Sequence, residues 1–361
     1  MLAIGRHSPV PVTSWRASLR NSVLRSVNDF VGQRCAPDLA GARVDIAAEV
    51  LMTFLDGGKC VRSTFAYLGW RCGADDDPHA LTAAASFELL HAFALLQDDV
   101  MDSSTLRRGR PAAHVAFARW HRERALSGSA DRFGEAAAVL LGDLCLVWAA
   151  QMMRESGLAG AILERAWPRY DAMRTELAVG QFADLVNDAA EVPDWESVLD
   201  VLRRKSGNYT VRRPLEIGAA MAGCDERLIA MLGAYGAAVG EAFQLRDDVL
   251  GIFGAPEVTG KPAGSDLVEH KATSVVVAAH RLAAPAVRRQ LDELVGTPEL
   301  DDADIARWRS LIVATGALEW IEQLIDSRLT QALELVETGP LDPVVRDALA
   351  DMAATCTERA A

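Results

Sequence analysis

Apolar residues recur every three to four positions along most of the chain, in Ala- and Leu-rich stretches near 19–34, 42–55, 61–72, 79–102, 111–126, 134–155, 157–188, 195–222, 225–252, 271–294, 303–335 and 343–358. That spacing lays an apolar stripe along one side of an α-helix, whereas a half-buried strand would alternate every second residue. No alternating stretch is evident, so the pattern predicts an all-α protein. The intervals carry turn and cap chemistry: Asp75-Asp76-Asp77-Pro78, Ser127-Gly128-Ser129, Val192-Pro193-Asp194, Gly254-Ala255-Pro256 and Gly296-Thr297-Pro298. They are connectors rather than linkers, and there is neither a low-complexity segment nor a repeat of fixed period. The expectation is a single large antiparallel helical bundle over residues 19–361. Residues 1–18 carry Pro9 and Pro11 and lack the apolar run of about 7–15 residues that a signal peptide has, so they read as a flexible tail.

Composition narrows the picture. The length of 361 residues is compatible with two average domains or one large helical one, and 50% apolar residues allow a sizeable core. A net charge of −13 opposes general affinity for nucleic acid or anionic lipid, which needs a surplus of Lys and Arg. The longest apolar runs, such as Ala136–Leu141 and Val275–Ala279, are far shorter than the roughly 20 residues that cross a bilayer, so no membrane span is expected. Six scattered cysteines without a CxxC pair fit reduced thiols in the cytoplasm and argue against zinc. The acidic clusters Asp75–Asp77 and Asp301–Asp304 precede helices, where carboxylates cap free N–H groups.

The chemistry concentrates between Ser86 and His114. On a helix advancing about 100° per residue, His91, Asp98 and Asp102 fall within roughly 60° of one another, a polar stripe on an otherwise apolar helix. Asp98, Asp99 and Asp102 at its end need cations, and oxygen ligands suit Mg²⁺. Arg107 and Arg108 follow within two turns, and carboxylates beside paired arginines point to a metal-bridged diphosphate. A second cluster, Asp247 and Asp248, follows another apolar face after Glu241 and Gln244. Taken singly, either cluster also reads as a solvated helix end with salt bridges, Lys59 and Arg62 as a solvated helix start, and His91 as a core histidine. Gln181 and Gln244 read also as satisfying backbone groups between helices. Trp148, Trp167 and Trp195 read as core or interface packing.

These residues together resemble the trans-isoprenyl diphosphate synthase family, the farnesyl and geranylgeranyl diphosphate synthases, from about Gly57 to Thr273. Asp98-Asp99-Val100-Met101-Asp102 is similar to the family's first aspartate-rich motif, with Arg107-Arg108-Gly109-Arg110-Pro111 at the family's spacing. Gly57-Gly58-Lys59-Cys60-Val61-Arg62 resembles the GGKxxR segment, Gly180-Gln181-Phe182-Ala183-Asp184 the GQxxD stretch, and Lys205-Ser206-Gly207 the K-T/S-G stretch. The resemblance implies a bundle with a central apolar cavity and Mg²⁺, three per site, held by Asp98, Asp99, Asp102, Asp247 and Asp248. It implies an isopentenyl diphosphate pocket of Lys59, Arg62, His91 and Arg108. It places Arg107, Lys205, Ser206, Gln244, Lys261 and Lys271 on the allylic diphosphate or lining its cavity, with Lys205, Ser206, Gln181, Gln244 and Lys261 serving the chemistry. Isoprenoid diphosphates are then the partners, in a cytoplasmic homodimer.

Two departures stand out. The second motif ends in Gly251, which offers no side-chain ligand, and the C-terminus Thr357-Glu358-Arg359-Ala360-Ala361 lacks the basic end of many relatives. A class I terpene cyclase would not need the second diphosphate pocket, and a non-catalytic partner subunit of a two-chain prenyl synthase should have lost an aspartate cluster or the basic residues. By resemblance, Phe93, five before the first Asp, forms the floor that sets chain length, with small Ala94 beside it. One aromatic there and no insertion within Asp98–Asp102 implies geranylgeranyl diphosphate (C20), with farnesyl diphosphate (C15) as the alternative. Simple wheel geometry instead leaves Phe93 as ordinary core, about 140° around the helix from Asp98.

Overall fold

The helical stripes fold as helices and break where turn chemistry interrupts them. The structure, a computed structural model, describes residues 12–40, 44–188, 192–255, 264–297 and 299–357. In order come α1 (Val12–Arg34), α2 (Asp45–Leu55), α3 (Val61–Arg71), α4 (Pro78–Met101), α5 (Ala113–Glu123), α6 (Ala130–Arg154), α7 (Gly160–Asp188), α8 (Trp195–Val201), α9 (Arg213–Ala222) and α10 (Glu226–Phe253). Then follow α11 (Ser265–Val268), α12 (Ser274–Leu282), α13 (Pro285–Val295), α14 (Asp302–Ala314), α15 (Ala317–Thr338) and α16 (Pro343–Thr357). Helix α1 reaches back into the segment read as a tail. Asp77 caps α4 by accepting from the His79 and Ala80 amides, and Asp301 with Asp304 makes a reciprocal capping box on α14, so both acidic clusters act as caps.

Three expectations needed revision. The stretch 195–222 is α8, a π-helical passage at Leu202–Arg212, and then α9. The stretches 271–294 and 303–335 are each two helices, divided before Pro285 at the first position of α13 and at Gly316, whose φ is 78°. A minimal hairpin also exists, β1 (Leu106–Arg107) pairing antiparallel with β2 (Arg110–Pro111). Its two-residue turn has φ of 51° at Arg108 and 72° at Gly109, both in the left-handed region that such a turn requires.

The chain divides into two compact units, Met1–Ala166 with Ile217–Gly223 and Trp167–Glu216 with Cys224–Ala361. In the first, α4 packs on α6, α3 and α1, burying Ala83, Phe87, Leu89, Leu90 and Leu96 completely. Each such leucine or phenylalanine contributes about 1.5–3 kcal/mol. In the second, α10 packs on α15 and the 202–212 passage, and Leu232, Tyr235, Val239, Ala242 and Leu245 bury along it. By length and composition α4, α6 and α10 could each cross a membrane, which a count of uninterrupted apolar runs does not reveal; 67%, 44% and 61% of their apolar windows are buried within the protein.

Candidate active site

In the first unit, α4 ends on the first aspartate motif. Asp99 is fully buried, and its Oδ1 accepts from Arg107 Nε at 2.8 Å and from Arg107 Nη2. The hairpin presents Arg107 to this carboxylate, and Arg107 Nη2 also lies 3.6 Å from Asp98 Oδ2. Asp99 therefore has a guanidinium partner rather than a free face. Its second oxygen, Oδ2, is buried without a hydrogen-bond partner. Asp98 and Asp102 are half-buried, one helical turn apart on one face.

The GGK segment links α2 to α3 through Gly57 at φ 91° and Cys60 at φ 53°. Arg20 of α1 donates to the Gly58 carbonyl at 2.7 Å, and Arg108 Nη1 donates to the carbonyls of Phe54 and Asp56 at the end of α2. Lys59 is exposed and Arg62 half-buried. Beneath them sits Glu88, 7% exposed, accepting from Ser63 Oγ at 2.7 Å, with its Oε2 3.4 Å from where a Cβ on Gly58 would stand. Burial raises the Glu88 pKa while Ser63, Arg62 and Arg108 oppose that rise. Burial, reinforced by Arg62, Arg108 and Arg107, holds His91 well below the usual imidazole range, so it faces this pocket neutral. On α4, Phe93 is half-buried, and its carbonyl lies 3.5 Å from where a Cβ on α6 Gly142 would stand; Ala94 is half-buried beside it.

In the second unit, Gly180 lets α7 meet the 202–212 passage backbone to backbone: a Cβ there would lie 2.5 Å from the Lys205 amide nitrogen. Lys205 pairs with Asp184, Gln181 Nε2 is buried without a hydrogen-bond partner, and Ser206 is half-buried. On α10, Asp247 is exposed, while Asp248 is 9% exposed and committed on both oxygens. Its Oδ1 accepts from Gln244 Nε2 at 2.9 Å, and its Oδ2 accepts from Ser274 N at 2.9 Å and Ser274 Oγ at 2.6 Å. Burial pushes the Asp248 carboxyl up to about 6 despite those donors. Lys271 pairs with Glu269 at 3.0 Å. Lys261 lies outside the described residues.

Among the described residues no group of three or more His, Cys, Asp or Glu side chains is placed to hold a metal ion. What could contribute is a pair in the first unit, Asp98 and Asp102, and Asp247 in the second. Sequence reasoning missed Glu88, whose partners Ser63 and Gly58 lie on other elements, and Ser274, which is brought to Asp248 only by the fold.

A family model described as polyprenyl synthetase matches residues 44–312. The geranylfarnesyl diphosphate synthase of Aeropyrum pernix is 32% identical over 289 residues, 79% of this chain and 84% of that one. The geranylgeranyl diphosphate synthase of Mycobacterium tuberculosis is 33% identical over 291 residues, 79% and 77% of the two chains. The crystal structure of geranylgeranyl pyrophosphate synthase from Corynebacterium glutamicum, complexed with isoprenyl diphosphate and magnesium, matches with a TM-score of 0.90 at 35% identity, over 95% of this chain and 99% of that one. With the fold and both aspartate motifs already in view, these matches place the chain in the polyprenyl synthetase family, an all-helical prenyltransferase.

Proposed function

We propose that this prenyltransferase condenses isopentenyl diphosphate with dimethylallyl, geranyl and farnesyl diphosphates and releases mainly geranylgeranyl diphosphate. The observation that carries the reading is the junction of α4 with the hairpin, where Asp99 fixes Arg107 beside Asp98 and an arginine-rich pocket opens about two turns earlier around His91.

The residues fit a divalent cation. Asp99 Oδ2 is a buried oxygen without a hydrogen bond, and the donor set is carboxylate throughout. Mg²⁺ characteristically takes one or two carboxylates and completes its shell with water and phosphate oxygens. Asp98 and Asp102 with Asp99 Oδ2 in the first unit, and Asp247 with Asp248 second to it in the second unit, would hold it, three ions in all, and when bound it supplies charge neutralisation for the departing diphosphate. Through their other contacts Asp99 also fixes Arg107 and Asp248 also fixes the start of α12.

The protein's own groups do the rest. Arg107, Lys205, Ser206, Gln244, Lys261 and Lys271 hold the allylic diphosphate, and Gln181 lies beside Lys205's partner Asp184 on α7. Lys59, Arg62, Arg108 and a neutral His91 grip the second diphosphate, so that two reactants become an oriented pair. Apolar walls keep water from the allylic cation. No side chain stands out as the base for the final proton loss, which falls to the released diphosphate. The enzyme acts in the cytoplasm as a homodimer and a single catalytic domain; Leu140 and Val147, 68% and 59% exposed on α6, form the apolar face a second copy would cover.

Incubation with labelled isopentenyl diphosphate and each allylic primer, followed by chromatography of the dephosphorylated products, tests this. A predominant C20 alcohol is expected. A predominant C15 alcohol would overturn the assigned length, and cyclised hydrocarbon without elongation would overturn the reaction.

A further inference from the structure

Glu88 stands on α4 one turn before His91, under the turn that carries Lys59 and leads to Arg62. Its side chain is buried, a costly place for a carboxylate unless cations surround it. They do. Arg62 of α3 and Arg108 of the hairpin act on it directly, and Arg107 adds to the positive charge at Arg108. Arg20 of α1 reaches the same turn and donates to the Gly58 carbonyl at 2.7 Å. A Cβ on Gly58 would meet Glu88 Oε2 at 3.4 Å and Arg108 Nη2 at 3.9 Å, so carboxylate and guanidinium flank one glycine. Glu88 Oε1 accepts from the Ser63 hydroxyl at 2.7 Å. Beside it stand Cys60, whose thiol burial and Glu88 push up, and the neutral His91. One buried anion thus offsets a cluster of arginines within the first unit.

We propose that Glu88 is the counterion of the empty isopentenyl diphosphate pocket and takes up one proton from solvent when the diphosphate arrives, so that substrate replaces carboxylate as the partner of Arg62 and Arg108. This rests on the assignment of that pocket made above. While the pocket is empty, the carboxylate offsets the mutual repulsion of the arginines and keeps them ready for an anion. A diphosphate brings several negative charges to the same guanidinium groups. At an effective dielectric constant of about 20, each unit charge arriving about 6 Å away favours the protonated acid by about a hundredfold. Burial already raises the Glu88 carboxyl, and Ser63, Arg62 and Arg108 hold that rise in check. Arginines engaged by a diphosphate hold it less.

The test is titration calorimetry of the whole protein with isopentenyl diphosphate and Mg²⁺, without allylic substrate, at pH 8 in buffers of different ionisation enthalpy, which counts the protons taken up on binding. Wild type should take up about one. His91→Gln, which removes the other nearby group able to accept a proton, should keep that count. Glu88→Gln, which can still accept from Ser63 and mimics the protonated acid, should take up none and bind at pH 8 at least as tightly as wild type. Binding coupled to proton uptake weakens as pH rises, so between pH 7 and pH 8 the wild-type dissociation constant should rise severalfold more than that of Glu88→Gln. No proton uptake by wild type would overturn the proposal without any variant. So would equal counts in wild type and folded Glu88→Gln, weaker binding by Glu88→Gln with no change in count, or uptake lost in His91→Gln and kept in Glu88→Gln. Arg62→Ala judges the pocket itself. If that folded variant binds isopentenyl diphosphate as tightly as wild type, the pocket assignment fails; if binding depends on Arg62 but no proton is taken up, only the role of Glu88 fails.

Discussion

Asp248 ties α10 to the start of α12, its Oδ2 accepting from both the amide and the hydroxyl of Ser274 at 2.9 and 2.6 Å. Its neighbour Asp247 is exposed. Adjacent carboxylates of one motif therefore have separable roles. Asp248→Ala should destabilise the fold by about 3 kcal/mol, because it strands two buried donors and the Gln244 amide, whereas Asp247→Ala should leave stability within about 0.5 kcal/mol and abolish most turnover. Thermal unfolding and steady-state rates on both variants check this; equal losses of stability would contradict it.

Arg62 belongs with Glu88, Arg108 and His91 rather than with the aspartate end of α4. Arg62→Ala should raise KM for isopentenyl diphosphate about tenfold, the equivalent of about 1.4 kcal/mol, and leave KM for the allylic substrate nearly unchanged. Initial rates with each substrate varied in turn measure the split. Equal increases would mean that Arg62 serves both diphosphates.

His280 on α12 is buried, 3.4 Å from Asp292 Oδ1, with Arg288 donating to its carbonyl. Burial lowers its pKa, Arg288 adding to the effect and Asp292 opposing it. Below the ordinary imidazole pKa of about 6.5 the unfolded chain takes up a proton that the native protein resists. The unfolded state then binds more protons, so this group's contribution to stability is lost as pH falls below about 6.5. Denaturant midpoints at pH 7 and pH 5.5 should differ less in His280→Gln than in wild type; an identical difference would contradict the assignment.

Phe93 tests product length. If its ring is the floor beneath the reacting end, Phe93→Ala opens room there and shifts products beyond C20 while ionisation chemistry continues. Chromatography of the dephosphorylated products decides, and an unchanged distribution from an active variant would assign the floor to another residue.

Much of this was legible in the sequence for physical reasons. Amphipathic stripes announce helices because burial demands them, and Asp98, Asp99 and Asp102 stand out because carboxylates are costly on an apolar helix. The hairpin at Leu106–Pro111 was not legible, since two-residue strands have no period, and its turn depends on left-handed backbone at Arg108 and Gly109. The passage at Leu202–Arg212 also escaped, because π-helical winding keeps a nearly helical apolar pattern; its place is set by contact with α10, where a Cβ on Gly240 would lie 2.5 Å from the Gly207 carbonyl oxygen. Glu88, between Phe87 and Leu89, reveals its role only through partners distant in sequence.

The central claim is that Asp98 and Asp102, one turn apart at the end of α4, stabilise the departing allylic diphosphate through the cation they hold. Steady-state turnover of Asp98→Ala and Asp102→Ala, with saturating substrates and Mg²⁺, tests it most directly. Loss of about 4 kcal/mol of charge stabilisation predicts a rate roughly a thousandfold below wild type in each. Near-normal turnover in either folded variant would contradict the account.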